Sequence, residues 1–217
     1  MPSPLKRRPL LLAGALTVAL TALAAFTAPN PLARADAALP FAPGTYTVDK
    51  DHTEIGFRVR HLGITNVNGS FGDFDATLEY DPARRASLRS TATVRTRSVD
   101  TGNARRDEHL RSADFFDVAR FPTMTFQSTA IRNVRGDRFQ LAGNLTLHGV
   151  TRPVVLDAEV TGTARDPMGN ERVAFEAETT IDREDFGLTW NQALEAGGLL
   201  VSKDVKILLE VQAVRQG

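Results

Sequence analysis

Apolar residues recur at every second position along most of this chain, and that period excludes most architectures. In "HTEIGFRVRHLG", residues 52–63, Ile55, Phe57, Val59 and His61 share one side of an extended chain, with Glu54, Arg58 and Arg60 on the other. The same step runs through Phe74, Ala76, Leu78 and Tyr80, then through Leu88, Ser90, Ala92 and Val94. It returns in Phe139, Leu141, Gly143, Leu145 and Leu147, in Leu156, Ala158 and Val160, in Val173, Phe175, Ala177, Thr179 and Ile181, and in Val205, Ile207, Leu209, Val211 and Ala213. Side chains alternate between faces along a strand, so each run predicts a strand with one buried face. The opposite positions, among them Thr91, Gln140, Asp157, Glu176, Lys206 and Glu210, are polar as a wetted face requires. Turn residues punctuate the runs at Asn68-Gly69, Asp81-Pro82, Arg135-Gly136-Asp137, His148-Gly149 and Asp166-Pro167-Met168-Gly169. Two stretches break the period: residues 103–117 have helical spacing and predict a short helix, and residues 182–198 predict a long loop with one helical turn.

The fold class is therefore all-β: about eight antiparallel strands joined mainly by hairpin-length turns, closing into an extended barrel. Closure removes exposed sheet edges. Runs of about ten residues, near 33 Å at the usual rise, favour a tall barrel over a sandwich of short strands. An eight-stranded barrel is filled by side chains or holds one small ligand. Gly56, Ala76, Ser90, Ala92, Gly143, Ala158, Ala177 and Thr179 are read as small inward residues that leave room. A filled interior with ordinary large and small alternation is the competing reading.

Before the strands, Lys6, Arg7 and Arg8 precede an uncharged run rich in Leu and Ala, which reads as a signal peptide over residues 1–35 cleaved after Ala33-Arg34-Ala35. Ala35-Asp36-Ala37 offers a second cleavage register, and an uncleaved anchor over residues 10–28 is the minor alternative. The expected location is the periplasm or the extracellular space. Residues 36–44 read as a tether and residues 45–217 as one barrel domain. The mature chain keeps 22 basic and 26 acidic residues, a formal charge of −4, which argues against a nucleic-acid partner. It has no cysteine, so neither disulfides nor thiol chemistry contribute.

The histidines point to no metal and no cofactor. His52 and His61 have opposite parity on one strand, His109 sits among the charges of the predicted helix, and His148 is in a turn. "DKDHTE", residues 49–54, lacks the glycine and the bidentate acid of a calcium loop. No Gly-x-Ser-x-Gly pattern marks a nucleophile, and no catalytic residue is assigned. The acidic group Asp182, Glu184 and Asp185 reads as a solvated turn. Phe115, Phe116 and Phe121 read as a plug for one barrel end, tied by Arg111, Asp114, Asp117 and Arg120.

The ordered stretches "HTEIGFRVRHLG", "VNGSFGDF", "RRDEHLRSADFFDVARFPTMTF", "GNLTLHGVTRPV", "IDREDFGLTW" and "VSKDVKILLEVQA" resemble the successive signatures of the YceI-like family of polyisoprenoid-binding periplasmic proteins, from Tyr46 to Ala213. The resemblance implies a lipocalin-like barrel with a long apolar cavity for an isoprenoid chain or another lipid-like amphiphile, and no enzyme. Placed on that fold, inward parity gives a ligand-binding set of Phe57, Val59, Phe74, Leu78, Ala92, Val94, Met124, Phe126, Leu141, Gly143, Leu145, Phe175, Ile181 and Ile207, with His61 near a mouth. The expected partners are an isoprenoid or other lipid-like small molecule, a membrane with which it is exchanged, and a second copy of the chain in a homodimer. The rival is a small hydrolase or isomerase acting on a lipid-like substrate in the same cavity, with His61 as its base.

Overall fold

The computed structural model describes residues 39–81, 88–193 and 198–217. The expected signal peptide, residues 36–38 of the expected tether and Pro82 of the expected Asp81-Pro82 turn lie outside the described residues.

The strands are β1 (Gly44–Val48), β2 (Glu54–His61), β3 (Thr65–Phe71), β4 (Phe74–Tyr80), β5 (Arg89–Arg95), β6 (Val99–Asp100), β7 (Thr123–Arg135), β8 (Arg138–Leu147), β9 (Val150–Arg165), β10 (Glu171–Asp182) and β11 (Val201–Arg215). A single α-helix, α1 (Ala104–Arg111), is present among the described residues. All pairings between strands are antiparallel, and β1 pairs with both β4 and β11, which closes the sheet. β1 and β2 both lie along β11 and are two halves of one bent stave. β3 with β4 and β5 with β6 continue one another in the same way. Counted as staves, the barrel has eight antiparallel strands in up-and-down order, as the alternation predicts.

The bend in the first stave is built by polar chemistry. Asp49 caps a 3-10 turn at Lys50–His52, its Oδ1 accepting from the Asp51 amide at 3.1 Å. Arg172 Nη1 of β10 donates to Asp49 Oδ2 at 2.5 Å, and its Nε donates to Asp166 Oδ2 at 3.0 Å. The Arg172 bond leads in holding the Asp49 carboxyl at about 2. Asp166 is also held at about 2, first by the Asn170 side chain and then by the Asn170 amide and Arg172.

Register decides which residues face inward, and it corrects two readings. Gly56 borders the second chamber only through its backbone: it pairs with Leu208, and a Cβ there would point to the outer face beside Glu54. Asn68 and Gly69 lie inside β3, opposite Arg58 and Phe57, while the chain reverses at Leu62 and Gly63, both at positive φ. Gly69 is strand because the Phe57 ring lies over it: a Cβ would come within 2.4 Å of that ring. The expected turns at Gly136, at His148 with Gly149, and at Asp166 to Gly169 are observed. His148 and Gly149 both have positive φ, the two-residue geometry that matches strand twist.

The helix is shorter than residues 103–117. It starts at the Asn103 cap, whose Oδ1 accepts from the Arg106 amide at 3.1 Å, and stops before a series of turns. Of the expected loop 182–198, residues 194–197 lie outside the described residues; in the rest one 3-10 turn, Arg183–Phe186, follows the Asp182 cap and ends at left-handed Gly187.

Candidate functional site

Inside the barrel lie two apolar chambers. The first has a volume of about 200 Å³ and is walled by β1, β4, β5 and β7 to β11. The second, about 330 Å³, lies toward α1 and is bounded by β2, β3, the turns after the helix and the loop through Trp190. Ile55, Met124, Leu145 and Ile207 belong to both walls, so only a waist of side chains separates the chambers. Met124 brings an unbranched, adaptable thioether to that waist.

Phe74, Leu78, Ala92, Val94, Phe126, Leu141 and Phe175 of the expected set line the first chamber. Phe57, Val59, His61 and Ile181 line the second, while Met124, Leu145 and Ile207 line both. Gly143 lines neither. Its missing side chain lets the Phe126 ring lie flat against β8, and a Cβ there would stand 2.4 Å from ring carbons. The room that Gly143 creates is thus filled by Phe126. Among the other small residues, Ala76, Ser90, Ala92, Ala158, Ala177 and Thr179 do border the first chamber.

One barrel end is closed by hydrocarbon. Leu39 and Phe41, in the stretch read as a tether, are buried in a cluster with Tyr46, Tyr80, Val134, Phe139 and Val173. Phe41 stacks against Tyr80 at 4.4 Å and meets Phe175 edge-on at 5.4 Å. The Tyr80 hydroxyl accepts from the Leu39 amide at 2.5 Å, and the Tyr46 hydroxyl donates to the Ala42 carbonyl at 2.8 Å. Burial pushes both phenols up. The tether becomes a strap because its apolar side chains, Leu39 and Phe41, find the open barrel end.

The other end is closed by side chains of mixed character. Phe115 and Phe116 line the second chamber, as a plug should, whereas Phe121 sits outside it over Gly149 and 4.4 Å from His148. Of the four residues expected to tie the plug, Asp117 and Arg120 pair with each other, while Arg111 and Asp114 find partners outside the group. Arg111 donates to the Arg97 and Val99 carbonyls, Asp114 bonds His109 at 2.9 Å, and Asp117 meets Arg120 at 3.4 Å. His109, read as part of a solvated helix face, borders the second chamber and meets Trp190 edge-on at 4.9 Å.

Two cationic wall residues escaped the sequence reading. Arg106 shares a helix face with His109 and Leu110, and its Nε and Nη2 donate to the Thr101 hydroxyl and carbonyl at 2.7 and 2.8 Å. Arg183 continues the inward parity of Phe175 through Ile181, which could have located it. It is 4% exposed; Nε donates to the Ser202 carbonyl at 3.0 Å and Nη1 to the Leu188 carbonyl, leaving Nη2 buried without an acceptor. Burial pulls this guanidinium below its usual range, against the raising effect of Glu184 and Asp182. An unmade bond at a buried donor costs about 1–3 kcal/mol. The acidic group beside it forms a capped turn: Asp182 accepts from the Glu184 amide at 2.8 Å and Glu184 pairs with Lys203 at 2.6 Å.

His61 ends β2, half-buried, between Thr65 and Val201. Among the described residues no carboxylate or hydroxyl is hydrogen-bonded to its ring, so it lacks the orienting partner of a catalytic base. No three His, Asp or Glu side chains gather as a metal site among the described residues.

A closed up-and-down barrel of eight strands around apolar chambers defines a lipocalin-like architecture. Residues 46–213 match the YceI-like domain, and the chain belongs to that family. UPF0312 protein ECA1782 of Pectobacterium atrosepticum is 42% identical over 196 residues, covering 89% of this chain and 97% of that protein. Protein YceI of Salmonella arizonae is 41% identical over 173 residues, covering 79% of this chain and 87% of that protein. Among solved structures, the Campylobacter jejuni YCEI protein superposes with a TM-score of 0.63 at 35% identity, covering 78% of this chain and 96% of that one. A polyisoprenoid binding domain from Saccharophagus degradans shares the fold with a TM-score of 0.57 at 16% identity, covering 79% and 98%.

Proposed function

We propose that this protein is an exported carrier that holds one long apolar amphiphile, such as a polyisoprenoid or an isoprenoid quinone, along the barrel axis and releases it unchanged. The observation that carries the reading is the interior itself: two apolar chambers that share wall residues at a waist, with no charged side chain bordering the first. Each buried methylene contributes about 0.8 kcal/mol, so affinity rises with chain length and few polar contacts are needed. The shared fold with a domain named for polyisoprenoid binding supports this ligand class. The absence of a partner orienting His61, among the described residues, favours holding over hydrolysis.

Export belongs to the same proposal. Cleavage after Ala35 would release a chain beginning at Asp36 into the periplasm or medium, which amino-terminal sequencing of the secreted protein tests. Exchange with a membrane is the matching expectation for the helix end, where Leu62, Leu199 and Ile64, the last 73% exposed, present apolar side chains beside the mouth. A homodimer is the remaining expectation, read by sedimentation of the mature chain with and without ligand.

The deciding measurement is mass spectrometry of a solvent extract from the purified mature protein. A long-chain lipid near one per protein is expected. An empty extract, together with no uptake of added long-chain amphiphiles, would overturn the carrier reading.

A further inference from the structure

We infer that the ligand carries an acidic head group, phosphate or carboxylate, which rests against Arg106 and Arg183 at the helix end while its chain extends into the first chamber. This deepens the carrier reading and rests on it. The two chambers differ in charge. No ionisable acid or base with a charge at neutral pH borders the first, whereas Arg106, Arg183, His61 and His109 border the second, with no Asp or Glu in its wall. A cationic wall without an acid beside it is complementary to an anion, and it is at one end only, which sets the ligand's direction.

Neither arginine forms an ion pair with a carboxylate among the described residues. Arg106 is held by the hydroxyl and carbonyl of Thr101. Buried Asp107 reaches it only through that hydroxyl, which donates to Asp107 Oδ1 at 2.6 Å. Arg183 is oriented by two backbone carbonyls, and its Nη2 is the one buried side-chain nitrogen without an acceptor among the described residues. The acids flanking it in sequence are engaged elsewhere, Asp182 with a backbone amide and Glu184 with Lys203. Of the histidines, His109 already has Asp114 as a partner, so the arginines are the groups with unspent charge. Guanidinium groups present forked donors that fit carboxylate and phosphate oxygens, and they do so best when shielded from water. Carrier function alone does not require two such groups at one end of an oily cavity.

The test titrates delipidated mature protein with dodecyl phosphate, dodecanoate, dodecanol, dodecyltrimethylammonium and inorganic phosphate. Calorimetry gives the affinities, and quenching of Trp190, the single tryptophan and a wall residue of the second chamber, reports where the head lies. Dodecyl phosphate and dodecanoate are expected to bind at least about tenfold more tightly than dodecanol, as charge-assisted bonds to a shielded guanidinium imply. The quaternary ammonium should bind most weakly and inorganic phosphate should not bind measurably. Arg183 also anchors two carbonyls, so its replacement risks the loop; Arg106→Gln is the cleaner variant and should reduce the preference for the two acids over dodecanol. Equal affinity for the alcohol and the acids, or undiminished preference in Arg106→Gln, overturns the head-group inference and leaves the carrier reading standing. Tight binding of inorganic phosphate alone would make the arginines a site for a free anion and overturn the lipid assignment. Failure of all four chains to bind would overturn the head-group inference, and the carrier reading is then decided by the solvent extract and the uptake of longer chains.

Discussion

The two ends of this barrel solve the same problem with different chemistry. At the strap end, Leu39, Phe41, Tyr46 and Tyr80 seal the opening with rings and aliphatic carbon, and the hydroxyls are spent on backbone groups of the strap. At the helix end, Phe115 and Phe116 share the wall with Trp190, His109, Arg106 and Arg183, and several of those side chains are half-exposed. A hydrocarbon seal is stable and has no reason to open. A mixed seal is weaker and chemically selective, which is what an entrance requires. Segments that move for ligand passage come from the less stable parts of a fold.

The sharpest way to break that contrast is Phe41→Ala. It should cost about 3–5 kcal/mol, the usual range for a buried phenylalanine, read by urea unfolding, while Phe116→Ala at the half-exposed helix end should cost clearly less. Equal losses would mean that the ends are sealed alike. Gly143→Ala forces the Phe126 ring off the sheet and should cost about 1–3 kcal/mol as overpacking does, with the penalty relieved in a Phe126→Leu background; thermal melts of the four proteins form the cycle. Ala92→Phe fills the first chamber and leaves the second untouched. Loss of room for roughly two methylenes should weaken a long chain at least about tenfold, with chains short enough for the second chamber unaffected; calorimetry across a chain-length series checks this.

The smallest effect concerns the bend in the first stave. Asp49 and Asp166 both have folded values of about 2, below the ordinary carboxylate range near 4. Their stabilisation is therefore complete above about pH 4 and is lost as the pH falls toward about 2. Replacing their shared partner, Arg172→Met, should lower stability most at neutral pH and least below about pH 2, which moves the acid-unfolding midpoint upward in pH and flattens that limb. Circular dichroism between about pH 2 and 5 follows that limb; an unmoved midpoint would show that the bend does not depend on the triad.

The barrel was legible because its signal is local: one parity, sustained from Phe74 to Tyr80 and from Val173 to Ile181, needs no knowledge of what lies opposite. The walls followed from the same rule, with Leu78, Val94 and Leu141 in one chamber and Val59 and Ile181 in the other. Where the reading failed, a distant residue had decided the matter. Asn68-Gly69 has the composition of a turn and became strand because Phe57 needed a place for its ring. Gly143 has the composition of a gap and became a seat for Phe126. Residues 39–43 have the composition of a tether and became a seal because the first stave ends at an open mouth. His109 and Arg106 belong to a helix too polar to announce a buried face, and only its docking over the barrel shows which face looks inward.

Residue order alone therefore determined most of the staves and their greasy faces, since alternation is a property of neighbouring peptide units. Tertiary structure alone decided which end closes with carbon and which with charge, how the interior divides at Met124, and that Arg183 keeps a donor unspent. Those are contacts between staves far apart in sequence, set by closure of the sheet, and no local pattern encodes them.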